Sequence, residues 1–109
     1  MTIYHLAEQQ HWEAAQASGR YEQSTLGRTL AEEGFIHCSS AEQWPVVRRA
    51  FYGHYPKPLV LLEVDESRLT SPLVREVGNA ETGEEFPHVY GPINVGAVVG
   101  VTEVPAPHA

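Results

Sequence analysis

The stretch "PLVLLEVD", residues 58–65, is the segment from which the fold prediction starts. Four apolar residues stand in succession here, and Val64 continues the run after Glu63. A nearly continuous apolar run of this length is typical of a strand that is covered on both faces, because a half-exposed strand alternates apolar and polar residues. The sequence therefore predicts that this segment is a central strand.

Further strands are predicted on both sides of this segment. They are "TIYHL" (2–6), "FIHCS" (35–39), "LVREV" (73–77), "EEFPHVYGPI" (84–93) and "GAVVGVTEV" (96–104). A helix is predicted over residues 7–19, since it is rich in Ala, Glu and Gln, buries Trp12 and Ala15, and stops at Gly19. The polar residues 20–33 remain ambiguous.

A second helix is expected after "FIHCS". Either Ser39 with Glu42 or Ser40 with Gln43 matches a capping box, and the helix runs to about Tyr52. Pro45 suits a first helical turn, so the helix either restarts or kinks there. The order β-α-β-α-β-β-β-β predicts one α+β domain over residues 1–104, with two or three flanking helices. The tail at 105–109, "PAPHA", has no apolar anchor and is expected to be flexible, and His108 receives no role.

Charge and cysteine content exclude several classes of function. The formal net charge is −7, and the seven Lys and Arg residues are scattered along the chain. No basic cluster exists to neutralise phosphates, so neither nucleic-acid binding nor an anionic membrane surface is expected. Cys38 is the only cysteine, and the N-terminus lacks the basic and apolar regions of a signal peptide, so a cytoplasmic location is expected.

Three of the six histidines lie on predicted strands, and they carry the main functional hypothesis. A single strand histidine is more often a structural residue that is hydrogen-bonded to the backbone. Three of them, His5, His37 and His88, on three separate strands favour a shared cleft. Three imidazoles also form known zinc sites, but no H-x-H or H-E-x-x-H spacing is present, and no metal site is predicted.

The segment "FPHVYGPI" holds two polar rings between rigid neighbours. In an extended chain His88 and Tyr90 point to the same face, and Pro87 with Gly91-Pro92 fixes the backbone around them. This arrangement fits a preorganised cleft wall, and a stiff core corner is the alternative. One strand earlier, Arg75 and Glu76 point to opposite faces. Alternation likewise separates Cys38 from His37, which argues against a Cys–His nucleophile.

Taken together, "YHL", "EGFIHCSS", "VREV" and "FPHVYGPI" resemble a known family over residues 2 to about 104. The chain is identified as a member of domain-of-unknown-function family 952, whose pattern is an early Y-H, then G-F-I-H-x-S, then R-x-E or R-E, then F-P-H-x-Y-G-P. The fold of this family is similar to that of ADP-ribosyltransferases. The resemblance therefore implies a split, bent, mixed or antiparallel sheet around an NAD-binding cleft.

The resemblance also implies roles for individual residues. His5 stands where the transferases place a ribose-binding histidine, and His37, Ser39 and Ser40 resemble the segment that lines the nicotinamide pocket. The late strand offers His88 and Tyr90 where a transferase has its catalytic Glu, with Glu76 one strand earlier. The implied catalytic residues are His88, Glu76 and His37. The implied substrate-binding residues are His5, Ser39, Ser40, Arg75 and Tyr90.

Three functions follow as hypotheses. The first is an enzyme that acts on NAD or another ADP-ribose-containing small molecule, by glycosyl or ADP-ribosyl transfer or by hydrolysis. NAD would then be a substrate, and no further cofactor is implied. The second is a non-catalytic module that binds a nucleotide or metabolite. The third is metal-assisted hydrolysis by the three histidines.

Overall fold

The computed structural model describes all 109 residues, and its strands are joined only by antiparallel pairings. The strands are β1 (Thr2–Glu8), β2 (Arg20–Tyr21), β3 (Ile36–His37), β4 (Leu59–Asp65), β5 (Leu73–Asn79), β6 (Glu84–Val89), β7 (Ile93–Asn94) and β8 (Val98–Val104). The α-helices are α1 (Gln9–Ser18), α2 (Leu30–Glu33) and α3 (Trp44–Tyr52), and 3-10 turns occupy Glu66–Arg68 and Val95–Ala97. The predicted α+β class, with flanking helices, is confirmed.

Strand β4 lies between β1 and β8, as the apolar run predicted. Its residues alternate between two hydrophobic clusters. Leu59 and Leu61 pack in a cluster with residues of α3, and Val60, Leu62 and Val64 pack in a cluster with residues of α1. Both faces of this sheet are therefore covered, which explains why an alternating pattern is missing from β4.

A second sheet has the order β3-β6-β5, and β2 pairs with β7 in a short two-stranded sheet. The register places His37 of β3 directly opposite His88 of β6. An isolated bridge between Tyr4 and Ser39 joins β1 to the end of β3. These pairings bring the first sheet and the second sheet together at the residues that the sequence singled out.

The helices agree with the prediction in their residues and differ in their bounds. α1 buries Trp12 and Ala15 and ends at Gly19, whose φ of 87° is left-handed. It begins later than predicted because β1 continues to Glu8, which pairs with Leu59. α3 likewise begins at Trp44, because Ser40 and Gln43 exchange hydrogen bonds in the preceding turn. None of the helices has the length and apolar character needed to cross a bilayer.

The ambiguous residues 20–33 contain β2 and α2. Thr29 accepts a hydrogen bond from the backbone of Glu32, and the Glu32 side chain accepts one from the backbone of Thr29. This reciprocal arrangement is a capping box, which satisfies two amides at the start of α2. The pair Thr29 and Glu32 is therefore the sequence signal for the start of α2.

The C-terminal residues 105–109, for which the sequence predicted a flexible tail, make polar contacts with the rest of the chain. His108 is only 1% exposed, its Nδ1 accepts a hydrogen bond from Arg48 Nε at 2.8 Å, and its Nε2 donates to the Lys57 carbonyl at 2.8 Å. Arg48 also donates to the carbonyls of Pro105 and Pro107. Polar anchors hold this tail in place of the apolar residues that it lacks.

We expect Arg48→Met to lower the free energy of unfolding by about 1–3 kcal/mol, because it leaves the buried Nδ1 of His108 without its donor. Urea denaturation measures the change, and limited proteolysis should show faster cleavage after residue 104. Arg49→Met is the matched control, since Arg49 makes no side-chain hydrogen bond or ion pair. Equal stability of the two variants would show that the tail contributes nothing.

Candidate functional site

The structure brings His5, His37 and His88 together across three strands. The Nδ1 atom of His5 lies 2.8 Å from the carbonyl oxygen of His37, and the Nδ1 atom of His37 lies 3.1 Å from Nε2 of His88. The bridge from β1 to Ser39 and the β3–β6 register produce these contacts. His5 therefore contacts the backbone of His37, and the rings of His37 and His88 contact each other.

A hydrogen-bond chain extends from His88 to a carboxylate. Nδ1 of His88 lies 2.7 Å from Oε1 of Glu76, and the Tyr90 hydroxyl donates to the same oxygen. The hydrogen bonds from Tyr90 and then from His88 lower the pKa of Glu76, so this carboxylate is ionised near neutral pH. The bond from Tyr90 to Glu76 raises the pKa of the tyrosine. Glu76 thus fixes both rings of the H-x-Y segment.

The ionised Glu76 carboxylate orients the protons on the rings of His88 and His37 along this hydrogen-bond chain. A carboxylate only accepts, so His88 Nδ1 donates to Glu76. In the tautomer in which His88 carries a proton only on Nδ1, its Nε2 is an acceptor and receives the Nδ1 proton of His37. In this arrangement the second ring nitrogen of His37, Nε2, carries no proton and has a free lone pair.

Nε2 of His37 is buried and has no hydrogen-bond partner. It is the single buried side-chain nitrogen or oxygen of the chain in that state. Burial, and secondarily electrostatic repulsion between the His37 and His88 rings when both take up protons, lowers the pKa of His37 to about 4, so the His37 ring is neutral at pH 7. An unpaired buried acceptor is costly, and such groups concentrate where a ligand or a reaction uses them.

His5 has a different role from the one that the family resemblance implied. Its Nδ1 donates to the His37 carbonyl, and its Nε2 accepts from the Tyr21 hydroxyl at 2.9 Å. Burial lowers the pKa of His5 to about 4, and the side chain is 3% exposed. With both nitrogens occupied inside the protein, His5 has none left for a ribose hydroxyl. It holds β3 in position behind His37.

The remaining predicted residues divide between this site and the rest of the surface. Arg75 points to the face opposite Glu76, as predicted, but it pairs with Glu66 at 2.8 Å and takes no part in the site. Ser40 serves the turn before α3. Ser39 is buried and borders a cavity of about 10 Å³ with His5 and His37, which is close to the volume of one water. Cys38 is buried, and its burial raises the pKa of the thiol.

A cleft opens beside His37, between α3 and the β5–β6 hairpin. It encloses about 460 Å³, within the usual range for small-molecule pockets. Val46, Val47, Ala50 and Phe51 line it from α3. The hairpin contributes Gly78, Asn79, Ala80, Glu81, Glu84 and Phe86. We name this space the His37 cleft.

A second pocket of about 260 Å³ adjoins the His37 cleft, since His37, Phe51 and Gly78 line both. His88 and Phe35 border this second pocket, and their rings stack at a centroid distance of 4.1 Å. Phe51 is half exposed and stands between the two spaces. Gly78 has no side chain here for a steric reason, because a Cβ atom would lie 2.6 Å from the Phe86 ring.

Four aromatic residues of the site were not predicted: Tyr21, Phe35, Phe51 and Phe86. Alternation along β6 places Phe86 on the same face as His88 and Tyr90, so the sequence did contain a signal for Phe86. Phe51 belongs to a helix face whose partner was unknown, and Tyr21 lies in the ambiguous residues. Their positions depend on contacts between distant segments.

The ligand chemistry of the histidines does not match a metal site. No group of three or more His, Cys, Asp or Glu side chains is placed to hold a metal ion. Both nitrogens of His5 and of His88 are occupied by hydrogen bonds to protein atoms. The three-imidazole arrangement considered from the sequence is therefore not formed.

Comparison with known proteins identifies the family. The family model described as "Protein of unknown function (DUF952)" matches residues 6–101. The chain belongs to this family. The motifs "EGFIHCSS" and "FPHVYGPI", which suggested it, both lie within the matched range and supply His37, Ser39, His88 and Tyr90.

The chain is also similar to solved structures. The chain is 32% identical to protein CC0527 from Caulobacter crescentus, over 97% of this chain and 94% of that one, and its crystal structure superposes with a TM-score of 0.77. The solution NMR structure of CC0527 gives 30% identity, coverage of 97% and 86%, and a TM-score of 0.68. No significant match exists among curated proteins.

Proposed function

We propose that this DUF952 protein is an enzyme that performs acid–base chemistry on a small molecule bound in the His37 cleft. The observation that carries the proposal is the hydrogen-bond chain from Glu76 through His88 to His37, which ends in a buried ring nitrogen with no hydrogen-bond partner. In this proposal His37 is the general base, and His88 and Glu76 support it. Tyr90 holds the Glu76 carboxylate, and Ser39 lies beside the His37 ring.

The hydrogen-bond chain from His37 to Glu76 explains how the His37 ring, with a pKa of about 4, can accept a proton at neutral pH. As Nε2 of His37 removes a proton from a water or hydroxyl group, the proton on its Nδ1 passes to Nε2 of His88. The positive charge then lies on His88, 2.7 Å from the Glu76 carboxylate, which stabilises it. The oriented carboxylate thus makes His37 a better base than its burial alone would allow.

The proposed substrate class is NAD or another ADP-ribose-containing small molecule, and the reaction is hydrolysis or transfer at its glycosidic bond. Support comes from the resemblance to ADP-ribosyltransferases and from a cleft of suitable volume. The chain departs from the transferase pattern, since Glu76 lies behind His88 and outside the cleft lining. A water or hydroxyl group activated by His37 would therefore attack the glycosidic carbon. Glu76 would give less stabilisation to the positive charge that develops on the sugar than a carboxylate in the cleft would.

A non-catalytic binding module is the second candidate. Nε2 of His37 is covered by protein atoms, which favours this candidate. A substrate could contact this nitrogen only after the cleft rearranges. Turnover separates the two candidates, while binding alone does not.

We expect His37→Gln to reduce turnover of the substrate about 10²–10⁴-fold while leaving the fold intact, because a general base contributes on that order. NAD, ADP-ribose and related nucleotides are screened by product formation with the wild-type chain, and the variants are then compared. Glu76→Gln should give a smaller loss, since it weakens the base without removing it. His54→Gln, outside the site, is the control.

A substrate-independent measurement completes this test. Nitrogen NMR of the histidine rings at pH 7 should show the proton of His37 on Nδ1 and none on Nε2. Protonation on Nε2, or turnover of His37→Gln equal to that of the wild type, would contradict the proposal. Tight binding of a screened nucleotide with no turnover by the wild-type chain would establish the binding module instead.

A further inference from the structure

We propose that the His37 cleft binds a planar organic cation that carries N–H donors, of which amidinium and guanidinium groups are the simplest examples. This inference rests on the proposed function only in using the same cleft. It concerns only the part of the ligand that enters the cleft beside His37, and the phosphates of a nucleotide substrate would lie outside the cleft.

The polar groups of the cleft mainly accept hydrogen bonds. Glu81 and Glu84 contribute carboxylates, which only accept hydrogen bonds, whereas Nε2 of His37 is covered by protein atoms. The Glu81 carboxylate has no hydrogen-bond or ion-pair partner in the chain, and the Glu84 carboxylate accepts one bond from the Gln43 side chain at 3.1 Å. Asn79, which also lines the cleft, is the only side chain there with a donor to offer. A ligand rich in N–H groups satisfies this set, and a ligand of acceptors does not.

The electrostatics of the cleft favour a positive charge. No Lys or Arg is among the eleven lining residues, and His37 is neutral at pH 7 because burial lowers its pKa to about 4. The two carboxylates are therefore not neutralised within the cleft, and the whole chain carries a net charge of −7. A phosphate group inside the cleft would meet like charge and no cationic partner.

The walls of the cleft favour a flat group. The rings of Phe86 and Phe51 lie on the sides of His37, at centroid distances of 4.9 and 6.5 Å from its ring. Val46, Val47 and Ala50 supply the rest of the apolar surface. A planar cation stacks on such rings through cation–π attraction while its edge donates hydrogen bonds to carboxylates. Shape and charge thus indicate the same class of ligand.

Benzamidine, benzamide and benzoate test the inference, because they share a ring and a planar substituent and differ in charge. Each is titrated into the ¹⁵N-labelled chain at pH 7.5 and low salt, and the shifts of backbone signals in α3 and the β5–β6 hairpin are followed. We expect benzamidine to bind about tenfold or more tightly than benzamide, and benzoate not to bind. Binding of benzamide or benzoate equal to that of benzamidine would overturn the inference.

Three variants locate the interaction. Glu81→Gln should weaken benzamidine about three- to fivefold and leave benzamide unchanged, since only one exposed charge is lost. Glu103→Gln, which removes the same charge from β8, is the matched control and should leave both affinities unchanged. Equal effects of the two variants would show that net charge, and not the cleft, attracts the cation.

His37→Gln separates this inference from the proposed function. The Glu81 and Glu84 carboxylates remain in this variant, so benzamidine should still bind within about threefold of the wild-type affinity, whereas turnover should be lost. If benzamidine fails to bind while turnover depends on His37, the planar-cation inference is contradicted and the acid–base proposal is supported. If benzamidine binds while turnover does not depend on His37, the planar-cation inference is supported and the acid–base proposal is contradicted.

Discussion

Replacing His5 by Leu is expected to lower the free energy of unfolding by about 2–5 kcal/mol. His5 is buried and joins two parts of the core, since it donates to the His37 carbonyl and accepts from the Tyr21 hydroxyl. Leu has a similar size and no polar atom. Both partners would then lose their hydrogen bonds inside the protein, which is more costly than removing the polar groups together. Urea denaturation measures the change.

A double-mutant cycle isolates the hydrogen bond from the loss of packing. Tyr21→Phe removes the hydroxyl that donates to His5, and in the His5→Leu background it also removes an orphaned donor. The double variant should therefore be less destabilised than the sum of the two single variants. Additive effects, or a His5→Leu protein as stable as the wild type, would contradict the structural role assigned to His5.

Stability is expected to fall as the pH decreases from about 6.5 to 4. The pKa values of His5 and His37 are about 4 in the folded chain, against an ordinary value of 6.5, and burial is the main cause in both. The unfolded chain takes up protons at these rings below pH 6.5, while the folded chain resists until about pH 4. Stability is therefore fully present above pH 6.5 and is lost through this interval, by about 3 kcal/mol for the buried His5. His37, which is less buried, adds a smaller loss.

Urea denaturation at several pH values measures this loss and assigns it. The lowered pKa values of Glu32, Asp65 and Glu76 affect stability only below their ordinary values of 4.5, 3.8 and 4.5, so the interval from pH 6.5 to 4.5 reports on histidines. The His5→Leu variant should lose most of the pH dependence in this interval. A stability that stays constant from pH 7 to 4.5 in the wild-type chain would show that these rings are not buried as neutral groups.

Local patterns predicted the elements, because they report burial directly. The apolar run at residues 59–62 identified the central strand β4, since side chains of alternating direction must both be covered there. Trp12, Ala15 and Gly19 identified α1 and its end. The two histidine motifs identified the family, which the match over residues 6–101 confirms.

The hydrogen-bond chain of the site could not be obtained in this way. Alternation predicted that His88 and Tyr90 share a face and that Arg75 and Glu76 do not, and both statements agree with the contacts. It did not reveal that His37 lies opposite His88, because a register between residues 51 positions apart is set by the packing of the whole sheet. The occupation of both nitrogens of His5 has the same origin, since Tyr21 reaches it from a segment with no strand pattern.

The fold class, the central strand, the family and the three histidines could thus be predicted from local patterns and motifs. The three-dimensional contacts were needed to show which histidine has a nitrogen without a partner, that Glu76 and not Arg75 contacts His88, and that Arg48 binds the tail at 105–109. The difference arises from the sequence distance between the residues involved. Periodicity and apolar runs reflect burial within a few residues, whereas hydrogen bonds between side chains depend on which distant segments the core brings within 3 Å of one another.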